Sequence, residues 1–337
     1  MSARRNTPDI YREYVQKSKL LSTFFLSVIL LVVGFGLGFF ANQVTTSYSA
    51  KTSDQTQEHR ESGYTYINPL LECENTSNLG SSKLAGMNAV VETIAKAHPD
   101  QEISLYYRDL LNGPWYGFHE DAVFAPQSLF KLPTVIAYFK IAEENPDILQ
   151  QTIEYQGQIP SNLPDSEQLT PGAPYTIELL IQRTLQLSDN VAFNLLVEKL
   201  PEKYLRKVHE DLNLPYPGKD TPSDFVSVRE YSAIFRVLYN FSYLSRKYSE
   251  RLLELLTKSD YPDGLVAGVP KGTLVSHKFG LKNPKSDGDI SQLHDCGIVY
   301  HPERPYLICI MTKGSDQVSQ SKTLQELAGA VYTWVNE

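Results

Sequence analysis

The sequence predicts an α+β domain in which strands from both ends of the folded part share one sheet around an inserted helical lobe, with a single transmembrane helix ahead of it. Three observations predict this. Strand-like runs occur near both ends of the folded part, at about 103–118 and 273–312. The stretch between them, from 128 to about 258, is mostly helical in its apolar spacing. Leu20 to Ala41 is an uncharged run of 22 residues.

That run is long enough to cross a bilayer, since a helix rising about 1.5 Å per residue needs roughly 20 apolar residues. A cleaved signal peptide is the rival reading. Its apolar core is usually about 7–15 residues and ends at small residues. Phe39-Phe40-Ala41-Asn42 is a poor cleavage site, so an uncleaved anchor is expected. Residues 1–19 carry Arg4, Arg5, Arg12, Lys17 and Lys19 against Asp9 and Glu13. This basic excess places the tail in the cytoplasm and the rest outside. Gly34 and Gly38 form a GxxxG spacing, which can let two membrane helices approach and dimerise weakly. Residues 42–66 are rich in Ser, Thr, Gln and Lys and lack apolar periodicity, which marks a flexible tether.

The folded domain is expected over 67–337. Leu84, Met87, Val90, Val91 and Ile94 recur at helical spacing, so a first amphipathic helix covers about 81–98. Ile103–Leu110 and Trp115–Phe118 read as strands, joined at the turn dipeptide Asn112-Gly113. Helical patterns follow at Thr176–Gln186, Ser227–Tyr239 and Ser249–Lys258, within a lobe of about 128–270. Strand signals return at Thr273–Phe279, Cys296–Tyr300 and Tyr306–Thr312. A last helix carries Leu324, Leu327, Ala328, Val331 and Val335 on one side. A cleft between sheet and lobe is where a site is expected.

Composition narrows the function. The net charge is -8 in total, and with +3 on the first 19 residues the remainder carries -11. Nucleic-acid binding needs clustered Lys and Arg, so no nucleic-acid partner is expected. Three cysteines, with no CxxC and no HExxH, argue against a metal or other cofactor. Outside the membrane a disulfide can form. The pairing expected is Cys73–Cys296, with Cys309 as a buried thiol in the apolar run Leu307–Met311.

Ser128-Leu129-Phe130-Lys131 follows the second strand as an S-x-x-K motif. On a helix, residues three apart share a face. A desolvated lysine has a lowered pKa and can take the proton of a serine nucleophile. The motif alone is weak, because Ser319-Gln320-Ser321-Lys322 matches it too. Ser188-Asp189-Asn190 and Lys278-Phe279-Gly280 follow only the first copy. Taken singly, the triplet is a helix N-cap and the lysine an edge-strand residue.

The ordered set resembles that of the class A β-lactamases and penicillin-binding proteins. The resemblance spans about 67–337 and implies a five-stranded antiparallel sheet flanked by the terminal helices. It implies a serine hydrolase with Ser128 acylated and Lys131 as base. Ser188 would relay a proton, Asn190 would hold the substrate amide, and Lys278 would face a substrate carboxylate. Gly280 completes the third motif, and the backbone N–H groups of Ser128 and Leu281 would form the oxyanion hole. The implied substrates are cell-wall peptides or β-lactams.

Two departures qualify this. Phe279 stands where the family has Thr or Ser, so a hydroxyl contact to the substrate is lost and the ring is expected to narrow the pocket. The family's deacylating Glu has no counterpart after the triplet. Asp220 and Asp224 read as turn residues there, and Glu230 as part of a Ser227-Val228-Arg229-Glu230 capping box. Slow deacylation is therefore expected, closest to class-A-like D-alanyl peptidases. A catalytically degenerate member that binds peptidoglycan or a protein partner, and a β-lactamase with an unconventional acid, are the alternatives.

Overall fold

Along one strand Leu307, Cys309 and Met311 alternate with Ile308 and Ile310, and all five are fully buried. Successive side chains of a strand point to opposite faces. A strand buried on both faces must therefore lie inside a three-layer structure. The computed structural model shows that structure for residues 64–68, 81–111, 113–283 and 290–337, all within one compact unit, His59–Glu337.

In chain order the elements are α1 (Ser81–Ala97), β1 (Glu102–Asp109), β2 (Trp115–Phe118), β3 (Val123–Phe124), a 3-10 turn (Gln127–Phe130), α2 (Lys131–Glu144), β4 (Thr152–Glu154), β5 (Pro174–Thr176), α3 (Ile177–Gln186), α4 (Asn190–Lys199), α5 (Glu202–Asp211), β6 (Val226–Ser227), α6 (Val228–Tyr239), α7 (Arg246–Leu256), α8 (Leu265–Gly268), β7 (Val275–Lys282), β8 (Ser291–Val299), β9 (Tyr306–Gly314) and α9 (Gln317–Asn336). The main sheet has the order β2-β1-β9-β8-β7. Every neighbouring pair in it is antiparallel. The five-stranded antiparallel sheet expected from both ends of the domain is thus present, with β7 at one edge.

The two faces have different cover. On one, Met87 and Val91 of α1 and Leu324, Leu327, Ala328 and Val331 of α9 pack against Leu105, Tyr107, Ile308 and Ile310. On the other, Leu307, Cys309, Met311, Cys296 and Ile298 meet the helical lobe. Within the lobe α2 buries ten of its residues, from Lys131 to Ala142. Residues 131–139 of α2 are buried without a break, as in a central helix, so Lys131 at its start lies deep while Ser128 just before it is half-buried.

Two expectations need correction and several fall outside the described residues. Cys296 is disulfide-bonded to Cys309, not to Cys73. The two are register partners on adjacent strands β8 and β9, side by side on the lobe face. Register between strands is set by both strands together, and the sequence spacing did not show it. Cys309 is buried as expected but is not a thiol. The hairpin expected at Asn112-Gly113 does join β1 to β2; Asp109 N–H donates to Pro114 O across it, and Gly113 takes a left-handed φ of +79°. Cys73, the tail and membrane helix of 1–41 with Gly34 and Gly38, and most of the tether lie outside the described residues. Among the described residues no helix is long and apolar enough to cross a membrane.

Candidate active site

Ser128 sits in the 3-10 turn that runs into α2. The chain reaches it from β3, which pairs with β6. Two side chains of β8 grip the residue between. Ala125 N–H donates to Gln292 Oε1 at 2.9 Å, and Ala125 O lies 3.0 Å from His294 Nε2. Burial pushes the His294 pKa down to about 4, so its ring is neutral and Nε2–H is the donor to that carbonyl. Gln127, next to the serine, has a φ of +48°, a left-handed conformation that a non-glycine residue adopts at a cost of order 1–3 kcal/mol. The turn is held from the sheet while carrying that strain.

The edge strand β7 closes on the same turn. A Cβ placed on Gly280 would lie 2.9 Å from Pro126 O and 3.1 Å from Leu129 Cγ. Only a glycine lets the strand approach this closely. The third motif needs its glycine for that reason, and the next residue, Leu281, continues along the edge strand.

Lys131 is 2% exposed. Its ammonium donates to Ser188 O, to Ser188 Oγ at 3.1 Å and to Asn190 Oδ1 at 2.7 Å. Lys278, fully buried, donates to the same Ser188 Oγ at 3.1 Å and to Phe279 O at 3.1 Å. Three motifs separated by 57 and 90 residues therefore meet at one hydroxyl. Burial lowers the Lys131 pKa to about 8 against the opposing charge of Asp189. Burial, reinforced by the Lys131 charge, lowers that of Lys278 to about 7. A hydroxyl that touches two such amines can accept a hydrogen bond from one and donate to the other. Ser188 thus bridges two buried lysines whose pKa values are both lowered by burial.

The triplet does two jobs at once. Asp189 caps α4, accepting from Val191 N and Ala192 N, and its second oxygen accepts from Arg183 Nε at 2.8 Å. The N-cap expectation is right for this middle residue. Capping by Asp189 leaves Ser188 and Asn190 facing Lys131, and Ser188 takes a left-handed φ of +51° to do so. Asn162 was missed by sequence reasoning. Its Oδ1 accepts from Asn190 N at 2.8 Å and its Nδ2 donates to Ser188 O at 3.3 Å, stitching the triplet to the loop between β4 and β5. An exposed asparagine in a polar loop carries no sequence signal for this.

One expected contact is absent. Among the described residues no hydrogen bond joins Lys131 to the Ser128 hydroxyl, because all three lysine protons go to Ser188 and Asn190. Phe279 lies close to Lys278. Its centroid is 4.2 Å from Lys278 Nζ, and it stacks on Tyr261 at 4.2 Å with 19° between the planes.

Residues 87–335, well over half the chain, match the family described as the Beta-lactamase enzyme family. The chain belongs to that family. Its fold is similar to "Structure of PBP-A", with 19% identity, a TM-score of 0.66, and 79% of this chain and 99% of that one covered. A variant of PBP-A, solved as its acyl-enzyme complex with penicillin G, matches at 21% identity and TM-score 0.65 over 75% of this chain and 97% of that one. A β-lactamase from Chitinophaga pinensis matches at 18% identity and TM-score 0.67 over 74% of this chain and all of that one. No curated protein matches the sequence.

With the family established, the acids after the triplet can be placed. Asp224 accepts from Lys313 Nζ at 2.7 Å and from Gln292 Nε2 at 3.0 Å. It braces the glutamine that holds Ala125 and does not touch Lys131. Glu230 closes a capping box with Ser227, and Asp220 is exposed. Among the described residues no carboxylate is hydrogen-bonded to Lys131. The second S-x-x-K copy is structural: Gln101 Nε2 donates to Ser319 Oγ at 2.8 Å, and Lys322 is 70% exposed beside Glu326.

Proposed function

We propose that this chain is a membrane-anchored, extracytoplasmic serine acyl-transfer enzyme of the penicillin-binding type, acting through a Ser128 acyl-enzyme on cell-wall peptides or related amides. The observation that carries the reading is the meeting of Lys131, Lys278, Ser188 and Asn190 in one hydrogen-bonded cluster, with Lys131 three residues along the chain from Ser128. The uncharged run Leu20–Ala41 and the basic residues before it support the anchor and its orientation.

The chemistry follows from the arrangement. A neutral Lys131 takes the Ser128 proton as Oγ attacks the acyl carbonyl. The amides of Ser128 and Leu281 meet the developing oxyanion. Ser188 passes a proton to the departing nitrogen and regains one across the lysine bridge. Asn190, already held by Lys131 and Asn162, orients the substrate amide. Deacylation lacks a comparable base, since Asp224 and Glu230 are engaged elsewhere. The acyl-enzyme is therefore long-lived. The likeness to a PBP-A variant captured as a penicillin G acyl-enzyme supports this form of the reading.

Incubating the full-length chain in detergent with activated acyl donors, and following its intact mass, tests the reading. A persistent adduct that is lost in Ser128→Ala is expected. Complete release within seconds would favour a β-lactamase with its own deacylating acid. No Ser128 adduct with any donor would favour a binding protein, the reading that the Phe279 ring over Lys278 supports.

A further inference from the structure

Lys278 is where a substrate anion would be expected to dock, yet its three donor directions are all taken. One proton goes to Ser188 Oγ and one to Phe279 O, each at 3.1 Å. The third side faces the Phe279 ring, whose centroid is 4.2 Å away. The residue is 0% exposed. A carboxylate gains from an ammonium only through contact or short range, and burying it beside a cation with no free donor leaves its own oxygens unpaired.

The ring is built into this place. Tyr261 stacks on it at 4.2 Å. Tyr261 itself arrives through a tight loop, because a Cβ on Gly264 would lie 2.9 Å from the Tyr261 ring and 2.1 Å from Asp295 Oδ2. Asp295 anchors that loop by accepting from Leu265 N at 2.9 Å, and holds His277 Nδ1 at 2.9 Å on the same strand as Phe279. The aromatic pair is thus fixed from behind by a buried polar cluster. It is not a side chain free to swing aside.

Among the described residues, the other cations nearby do not replace Lys278. Lys131 has three partners of its own. Arg183 is held by Asp189 and by Glu167 O. Lys282 lies on β7 four residues further on, about 13 Å along the strand at ~3.3 Å per residue, beyond the Leu281 amide.

Resting on the acyl-enzyme reading above, we infer that Phe279 and Tyr261 select acyl donors whose leaving group carries no carboxylate beside the scissile bond. The substrate is an amide or ester with an uncharged group at that position, packed against the aromatic edge. A free peptide C-terminus and an ordinary penicillin are disfavoured. In the step itself the Ser128 Oγ–acyl carbon bond forms, the acyl–nitrogen or acyl–oxygen bond breaks, the serine proton moves to Lys131, and the leaving group takes a proton from Ser188.

The test is a matched pair of donors that differ only in this charge: benzylpenicillin and its methyl ester. Ser128 acylation of the full-length chain is timed by intact mass with each. In the wild type the ester is expected to react about tenfold faster than the acid, within the range that one pocket contact commonly discriminates. Phe279→Thr should reverse the order, and Phe279→Leu, which keeps an apolar cover, should retain it. An acid that reacts as fast as the ester in the wild type overturns the inference while leaving the acyl-enzyme intact. A ratio unchanged in a folded Phe279→Thr protein overturns it too. Neither donor reacting in a Ser128-dependent way overturns the acyl-enzyme reading as well. The wild-type comparison needs no substitution, so a misfolded variant does not blunt it.

Discussion

Ser128 and Lys131 stand three residues apart where one helix begins, and so do Ser319 and Lys322. The four-residue pattern is the same, but the surroundings are opposite. Lys131 is 2% exposed and its ammonium is bound by Ser188 and Asn190. The Lys322 side chain is 70% exposed beside Glu326. Ser128 follows a strained residue, in a turn that β7 and β8 hold in place. Ser319 lies in the first turn of α9, where its N–H is capped by Asp316 and its hydroxyl accepts from Gln101. Burial lowers a lysine's pKa and makes it a base, while exposure keeps it a solvated cation. What separates the two copies is the lobe packed over the first.

The widest separation between the copies is expected in acylation. Ser128→Ala should abolish the adduct, and Lys131→Met should slow its formation by about 10²–10⁴, the usual loss for a general base. Ser319→Ala and Lys322→Met should leave the rate within experimental error. Intact-mass kinetics on the four variants reads both halves, and a Lys322 effect comparable to that of Lys131 would break the comparison.

Next in size is the fit between β7 and the Ser128 turn. Gly280→Ala drives a methyl group into Pro126 O. Overpacking of this kind costs about 1–3 kcal/mol. A lower denaturant midpoint together with at least a tenfold slower Ser128 acylation is the expected outcome. Unchanged values would show that the turn gives way freely.

The pH dependence sharpens the role of burial. The pair Lys131 and Lys278 is held below the ordinary lysine value by desolvation, at about 8 and about 7. Acylation should therefore rise from pH 6 to 9 and then level off, because the neutral amine is the base. Stability should move in the same sense. A folded-state pKa depressed below the unfolded one gives a contribution that is complete above the unfolded pKa and lost as pH falls through the folded value. The protein should gain stability between pH 7 and 10. Lys278→Met should flatten that gain and raise stability at pH 7 by about 0.5–2 kcal/mol while slowing acylation. Urea titrations at several pH values check the sign, and a stability that falls across this window would contradict it.

The smallest effect is assigned to Asn162. Removing its two bonds to the triplet with Asn162→Ala should destabilise by about 1 kcal/mol and slow acylation a few-fold, with Asn190 less well held. Parallel unfolding and acylation curves would reveal it.

The three motifs, the order of elements and the Ser227 capping box were legible because each is local: a few residues, a cap or a periodicity declares it. What was not legible depends on register and on loops meeting at a distance. Cys296 faces Cys309 because β8 and β9 pair in one register, which no spacing in the chain announces. Gln292 and His294 reach Ala125 across the domain. Asn162 reaches the triplet from a polar loop. The identity of Phe279 was plain, but its stack on Tyr261 and its place over Lys278 come from the loop that Gly264 lets close.

The most direct test of Ser128 as the acylated residue is to digest the full-length chain after exposure to an excess of benzylpenicillin methyl ester and locate the added mass. The adduct should lie on the peptide that holds Ser128, remain after the free donor is removed, and be missing from Ser128→Ala. An adduct on the peptide that holds Ser319, or equal labelling of wild type and Ser128→Ala, would contradict it.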